Sequence, residues 1–132
     1  MIRQTAIGLA HAAQKGLGAA RTWTIILSME RDALLKLVKC TVSDVEPDAE
    51  IILYGSRARG SSTPLSDWDF LILVEGSVGD ERVDRIRHRL YEIEWETGQV
   101  LCSIVRSRDQ WMAPPYRNTP FHRNVELEGI VL

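Results

Sequence analysis

Two short apolar runs, Glu50–Tyr54 and Trp68–Glu75, flank a segment rich in Gly, Ser, Arg and Thr, and this pairing constrains the fold more than any other feature of the chain. Glu50–Tyr54 is short, carries two isoleucines and ends at Gly55, which predicts a strand that stops where the glycine turns the chain. The second run alternates. As a strand it puts Asp67, Asp69, Leu71 and Leu73 on one face and Trp68, Phe70, Ile72 and Val74 on the other. Both carboxylates therefore point the same way. Between the runs, residues 56–60 are expected to open a short helix and Ser61–Ser66 to form a loop containing Pro64.

The remaining pattern alternates helix and strand. Residues 30–44 place Leu34, Leu37, Val38, Thr41 and Val42 at helical spacing, with Glu30 and Asp32 expected in the first turn, where acidic groups suit the helix dipole. From Asp80 to Thr97, Val83, Ile86, Leu90 and Ile93 recur at three and four residues, acidic groups occupy the amino end, and Gly98 supplies a stop. Gln99–Val105 reads as a third strand. Ser107, with Gln110 three positions on, can cap a short helix that Pro114-Pro115 breaks, and an amphipathic segment from Phe121 to Glu128 precedes Ile130-Val131-Leu132. The expected class is α/β: a small mixed β-sheet with flanking helices.

Composition narrows the function classes. With 132 residues, the chain has room for one domain but not for an added substrate domain, so a large substrate must come from a partner. A formal charge of −2 gives no general attraction to nucleic acid, which is not expected as a partner. No apolar run approaches the roughly 18–20 residues a membrane span needs. The first 28 residues hold Arg3, Lys15 and Arg21 but none of the acidic residues. Ile2, Ala6, Leu9, Ala13 and Leu17 can share a helical face there, yet Gly8, Gly16 and Gly18 weaken it, and Ile25-Ile26-Leu27 is too short for a secretory signal. The expectation is a loosely ordered extension over 1–28, with Met29 as an alternative natural start, and a folded domain over 29–132. Cys40 and Cys102 show no ligand spacing and are expected to be reduced core thiols of a cytoplasmic protein. His11, His88 and His122 are scattered, which argues against a zinc site.

The candidate chemistry lies between the two strands. Gly55 lets backbone approach a phosphate closely, the Ser56 amide and hydroxyl at a helix start can hold phosphate oxygens, and Arg57 or Arg59 can add a charged donor. Asp67 and Asp69 are hard oxygen ligands of the kind Mg²⁺ takes when substrate phosphates and waters complete its shell. Either element alone is ordinary in an α/β protein. Together, with ten residues between Ser56 and Asp67 and with Ser66 completing a Ser-Asp-x-Asp pattern, they resemble the signature of the DNA polymerase beta-like nucleotidyltransferase superfamily. The form most resembled is the minimal nucleotidyltransferase, often the antitoxin of a HEPN/MNT toxin-antitoxin pair. The resemblance is specific over residues 51–75 and extends more weakly to Thr119-Pro120-Phe121 through Glu128-Gly129.

The resemblance implies Mg²⁺-dependent transfer of a nucleoside monophosphate, AMP from ATP foremost, onto a hydroxyl such as a tyrosine of a HEPN-type toxin. It assigns Asp67 and Asp69 to catalysis and metal binding, and Gly55, Ser56 and Arg57 to the nucleotide phosphates. It also implies a third carboxylate on the next core strand, and Val100–Val105 has none; Cys102 or Ser103 occupies that place, unless Glu96 or Asp109 reaches the site from elsewhere. Two readings therefore stay open: an enzyme working with two carboxylates, or a catalytically degenerate binding module that acts by contact. A homo-oligomer is compatible with either. Glu92, Glu94 and Glu96 gather near a helix carboxyl end, where the dipole disfavours them, and are read as a solvated face. Arg82, Arg85, Arg87 and Arg89 are read as ordinary charged surface, and Trp111 with Pro114-Pro115-Tyr116 as loop packing.

Overall fold

The computed structural model describes residues 19–132, with side chains from Glu30 onward. The helical face that Ile2–Leu17 could share, His11, and the first eighteen residues of the loosely ordered extension expected over 1–28 lie outside the described residues. Two compact units divide the chain, Met1–Val38 and Lys39–Leu132. Helix α1 (Ala19–Val45) begins well before Glu30, so Glu30 and Asp32 are interior to it and its first turn holds no acidic residue. That corrects the expected start: nothing between Ala19 and Glu30 is Gly or Pro, so no residue stops the helix there. In the first unit Leu34 and Val38 are buried; in the second, Thr41 and Val42 are.

The second unit is built on a four-stranded sheet of order β3-β2-β1-β4. Strands β1 (Glu50–Tyr54) and β2 (Trp68–Val74) are antiparallel, with Tyr54 opposite Asp69. Strand β3 (Leu101–Ser107) runs parallel to β2, with Cys102 beside Asp69. The mixed sheet is thus as expected. The third strand lies two residues further on than Gln99–Val105, because Arg106 and Ser107 pair with Leu73 and Val74 while Gln99 and Val100 belong to the approach. A two-residue strand, β4 (Ile130–Val131), adds to the outer edge of β1. Gly129, which precedes it, is required by contact, since a Cβ there would meet the Val125 carbonyl oxygen and come within 2.7 Å of Ile52 Cγ2.

Each face of the sheet is filled by side chains of one parity. On one, Leu53, Phe70, Ile72 and Val105 are buried, and the crossover helix α3 (Asp80–Thr97) buries Ile86, Leu90 and Ile93. Ile52, Leu71 and Leu73 on the other face form a core with Trp111 and Val125, joined by Tyr54, Ile104, Tyr116 and Phe121. These covering residues come from α4 (Arg108–Met112), the following 3-10 turn (Tyr116–Asn118) and α5 (Pro120–Glu128). Edge-on contacts of Phe121 with Tyr54 and Trp111, centroids 5.2 and 5.5 Å apart, tie the layer to β1. Each such pair contributes about 0.5–1.5 kcal/mol beyond its buried area. His122 is 2% exposed and stacks on Trp111 at 4.4 Å. The aromatics near the prolines therefore pack the core, and Ser107 caps α4 by accepting from the Gln110 amide at 3.1 Å, as expected.

Three of the four arginines of α3 pair with acids, and Arg87 donates to the Ser103 carbonyl oxygen at 3.5 Å. Arg82 donates through Nε to Glu46 Oε1 at 2.6 Å and through Nη2 to Oε2 at 2.8 Å, while Nη1 reaches the Glu75 and Ser77 carbonyl oxygens. Arg89 pairs with Asp44 at 3.3 Å and Arg85 with Glu81 at 3.9 Å. Among the described residues, no helix is long and apolar enough to cross a membrane.

Candidate active site

Along β2 the covered face changes character over four positions. Leu73 and Leu71 are buried under α4 and α5, Asp69 is half-buried, and Asp67, just before the strand, is exposed. The carboxylates thus occupy the stretch of this face that the covering layer leaves open. Gly55 leaves β1 beside them, and its φ of +77° is one that L side chains rarely adopt. A Cβ there would collide with the Asp69 carboxylate. The glycine therefore supplies both the turn and the space in which backbone and carboxylate lie side by side.

Helix α2 (Ser56–Arg59) follows at once. Its first turn closes on Gly55, whose carbonyl oxygen accepts from the Ala58 and Arg59 amides at 3.0 Å, so the Ser56 amide precedes the hydrogen-bonded turn. The two arginines of this turn have different surroundings. Arg57 donates to the Ser66 carbonyl oxygen at 2.9 and 3.3 Å and to the Pro64 carbonyl oxygen at 3.4 Å, and its guanidinium lies 4.3 Å from the Trp68 ring centre. In this state it fixes the loop that carries Asp67. Arg59 pairs with Glu128 of α5 at 3.1 Å, and its charge is felt at Asp69. Ser66 also shapes the loop: its hydroxyl accepts from the Thr63 amide at 2.9 Å. That role of the Ser in Ser-Asp-x-Asp was invisible in the sequence, though a Ser-Thr pair around a proline is a turn signal.

Electrostatically the site is under tension. Burial, followed by repulsion from Asp67, raises the Asp69 pKa from its ordinary value, and Arg59 opposes this. Tyr54, opposite Asp69, has its phenol pushed up to about 12 by burial, then by Asp69 and Cys102. Cys102 lies next to the pair, with its sulfur 3.8 Å from Asp67 Oδ2. Partial desolvation beside the sheet, then Asp67 and Asp69, raise its thiol pKa, so the exposed thiol is protonated at neutral pH. The parallel register decides which residue takes the third position. Cys102 neighbours Asp69, whereas Ser103 neighbours Phe70 and turns to the other face.

Glu96 and Asp109 stay on the surface, and neither is among the charges that shift Asp69. The site accordingly has two acids and a thiol. Both cysteines are free and exposed, which corrects the expected core placement. Cys102 lies at the open end of β3 beside Asp67, and Cys40 lies on a solvent-facing side of α1.

Among the described residues, no three His, Cys, Asp or Glu side chains form a ready metal cage. Two converging carboxylates that repel each other nevertheless suit a hard cation that keeps waters and accepts phosphate oxygens, as Mg²⁺ does. The donor set fits such an ion.

A fold with a Gly-Ser turn facing an Asp pair across antiparallel strands is a nucleotidyltransferase arrangement, and comparison with known proteins agrees. The family model described as nucleotidyltransferase domain matches residues 34–130, and the chain belongs to that family. A protein of Methanocaldococcus jannaschii named "Putative protein adenylyltransferase" is 40% identical over 83 residues, 63% of this chain and 76% of that protein.

Proposed function

We propose that the chain transfers AMP from ATP to a hydroxyl group of another protein, with Mg²⁺ as the metal. The observation that carries the reading is the contact between Gly55 and Asp69, which sets the phosphate turn directly against the carboxylate pair. Gly55 and Ser56 would hold the triphosphate oxygens through backbone amide and hydroxyl. Arg59 has the better placement to add positive charge, while Arg57 steadies the loop beneath. Mg²⁺ held by Asp67 and Asp69 would supply countercharge for the phosphates and polarise the α-phosphate. The acceptor oxygen bonds to the α-phosphorus in line as the bond to the pyrophosphate breaks. The proton passes to solvent, because the protonated Cys102 thiol cannot take it.

The relative named as a protein adenylyltransferase supports a protein acceptor. The motif resemblance adds a tyrosine of a HEPN-type toxin as the acceptor; cysteine usage adds a cytoplasmic setting, and the composition shift at Met29 adds residues 29–132 as the nucleotidyltransferase domain behind an extension. A second reading, a degenerate module that neutralises its partner by contact, is favoured by one observation: Cys102 stands beside Asp67 and Asp69 where a further acid would complete the set.

Incubation of the protein with a candidate toxin, Mg²⁺ and ATP labelled at the α-phosphate separates the two. Label on the partner that requires Asp67 and Asp69 supports the enzyme. Tight partner binding without label supports the module.

A further inference from the structure

Glu128 stands where its own helix does not favour it. It is the last residue of α5, whose final turn carries no basic residue, so its carboxylate sits at the negative end of the helix dipole. Its partner comes from another element: Glu128 Oε1 accepts from Arg59 Nη1 of α2 at 3.1 Å. The backbone that carries Glu128 is held on both sides. The Gly129 amide donates to the Val125 carbonyl oxygen at 2.8 Å, and Ile130 pairs with Leu53 of β1. A Cβ at Gly129 would meet that carbonyl oxygen, so the chain is closely packed where it passes from α5 to β4. Leu53 lies two residues before Gly55, on the strand that runs into the Gly55-Ser56 turn. One strand therefore supports both the turn and the segment that carries Glu128.

Arg59 is tied to the site from its other side. Its amide donates to the Gly55 carbonyl oxygen at 3.0 Å, and Gly55 lies against the Asp69 carboxylate. Its charge opposes the rise of the Asp69 pKa. The side chain is 50% exposed and is held through Nη1, while its Nε and Nη2 donors make no hydrogen bond among the described residues. An exposed ion pair of this kind adds little to stability, because solvent screens it and two long side chains lose freedom. For a ligand the same pair matters more. A loose arginine must give up its rotamers to hold a phosphate, whereas one anchored at a single nitrogen meets the phosphate already placed.

We propose that Glu128 is a positioning residue for the nucleotide: it anchors Arg59 by Nη1 beside Gly55 and Asp69, so that the remaining guanidinium N–H groups bind the triphosphate. The proposal rests on the nucleotide-binding reading above. It adds to that site a residue that touches no nucleotide itself and acts through Arg59.

The test is a double-mutant cycle on MgATP affinity, read by calorimetric titration of wild type, Glu128→Ala, Arg59→Ala and the double variant. Glu128→Gln serves as the conservative control, and melting temperatures are measured alongside. The expected result is that Glu128→Ala weakens MgATP binding about tenfold, Arg59→Ala weakens it at least as much, and the double variant is no weaker than Arg59→Ala alone. Glu128→Gln keeps an oxygen acceptor at the same reach and should lose no more than about threefold. The melting temperature of Glu128→Ala should stay within about 4 °C of wild type. Unchanged MgATP affinity in Glu128→Ala overturns the positioning role and leaves the nucleotide site standing. Tighter binding overturns it as well, since Glu128 would then compete with phosphate for Arg59. An equal loss with and without Arg59 overturns it by making the effect independent of that side chain. A Glu128→Ala protein that does not fold assigns the residue to the fold and overturns it too. Failure of the wild type to bind MgATP removes the nucleotide-binding reading and this proposal together.

Discussion

Charge is handled in opposite ways at the two ends of β2. Beyond its carboxyl end, Arg82 and Glu46 meet in a two-pronged pair with little exposure, and the spare guanidinium nitrogen is taken by backbone carbonyl oxygens of the turn. The pairing lowers the Glu46 pKa, chiefly through the hydrogen bond from Arg82. At the amino end, burial and then repulsion from Asp67 raise the Asp69 pKa. The first arrangement is complete within the protein and holds Glu46, the turn after β2 and α3 together. The second has no such partner for both carboxylates within the described residues, and under the proposed function a cation completes it. A region whose charges are satisfied serves the fold, and one whose charges are left in tension serves a ligand.

Substitutions can break this contrast. The largest effect is expected on catalysis from Asp67→Asn with Asp69→Asn: metal-dependent transfer should fall by at least about a thousandfold. Circular dichroism should show the fold intact. An unfolded double variant would place the carboxylates in the fold rather than the site.

At the opposite end, Arg82→Ala should leave Glu46 half-buried without its partner and cost about 2–4 kcal/mol in urea unfolding, with transfer at low temperature unchanged. The pH sign is fixed by the shift. The Glu46 pKa is lower folded than unfolded, so its contribution is present above the ordinary value of 4.5 and is lost as pH falls through the folded value. Glu46→Gln should therefore flatten the acid limb of the wild-type stability curve.

Gly55→Ala sharpens the comparison, because the turn and the carboxylate share one space. The new methyl must displace Asp69 and hold a positive φ, for a loss of about 1–3 kcal/mol in stability. MgATP binding should weaken as well. A variant that loses stability but binds MgATP normally would separate the turn from the site.

The smallest effect is a gain. Asp69 has a raised pKa in the metal-free fold, so its ionisation costs stability as pH rises through its titration. Asp69→Asn alone should raise the metal-free melting temperature at neutral pH by roughly 2–4 °C and remove that dependence, with no gain at pH low enough to protonate the wild type.

The site half of this contrast was legible in the sequence because it rests on period and type, whereas Arg82, read as ordinary charged surface, meets Glu46 only through the fold. The alternation of Asp67, Asp69, Leu71 and Leu73 gave the shared face, and Ile86, Leu90 and Ile93 gave α3. What depends on pairing was not legible. A two-residue strand such as Ile130–Val131 carries no period, and only the register with β2 chooses Cys102 over Ser103 as the neighbour of Asp69. Arg57 shows the same limit: its hold on the Ser66 carbonyl and its place against the Trp68 ring could not be read from the motif. The cysteines were misplaced because the preference of that residue type for interiors says nothing about the open end of a strand.

The central claim, that the tense carboxylates and the Gly55-Ser56 turn together hold a metal-bound nucleotide, is tested most directly by calorimetric titration of the wild type with ATP, with and without Mg²⁺, beside the double asparagine variant. The account predicts saturable binding by wild type only when Mg²⁺ is present, and none by the variant. Equal ATP binding without Mg²⁺, or by the variant, would contradict it.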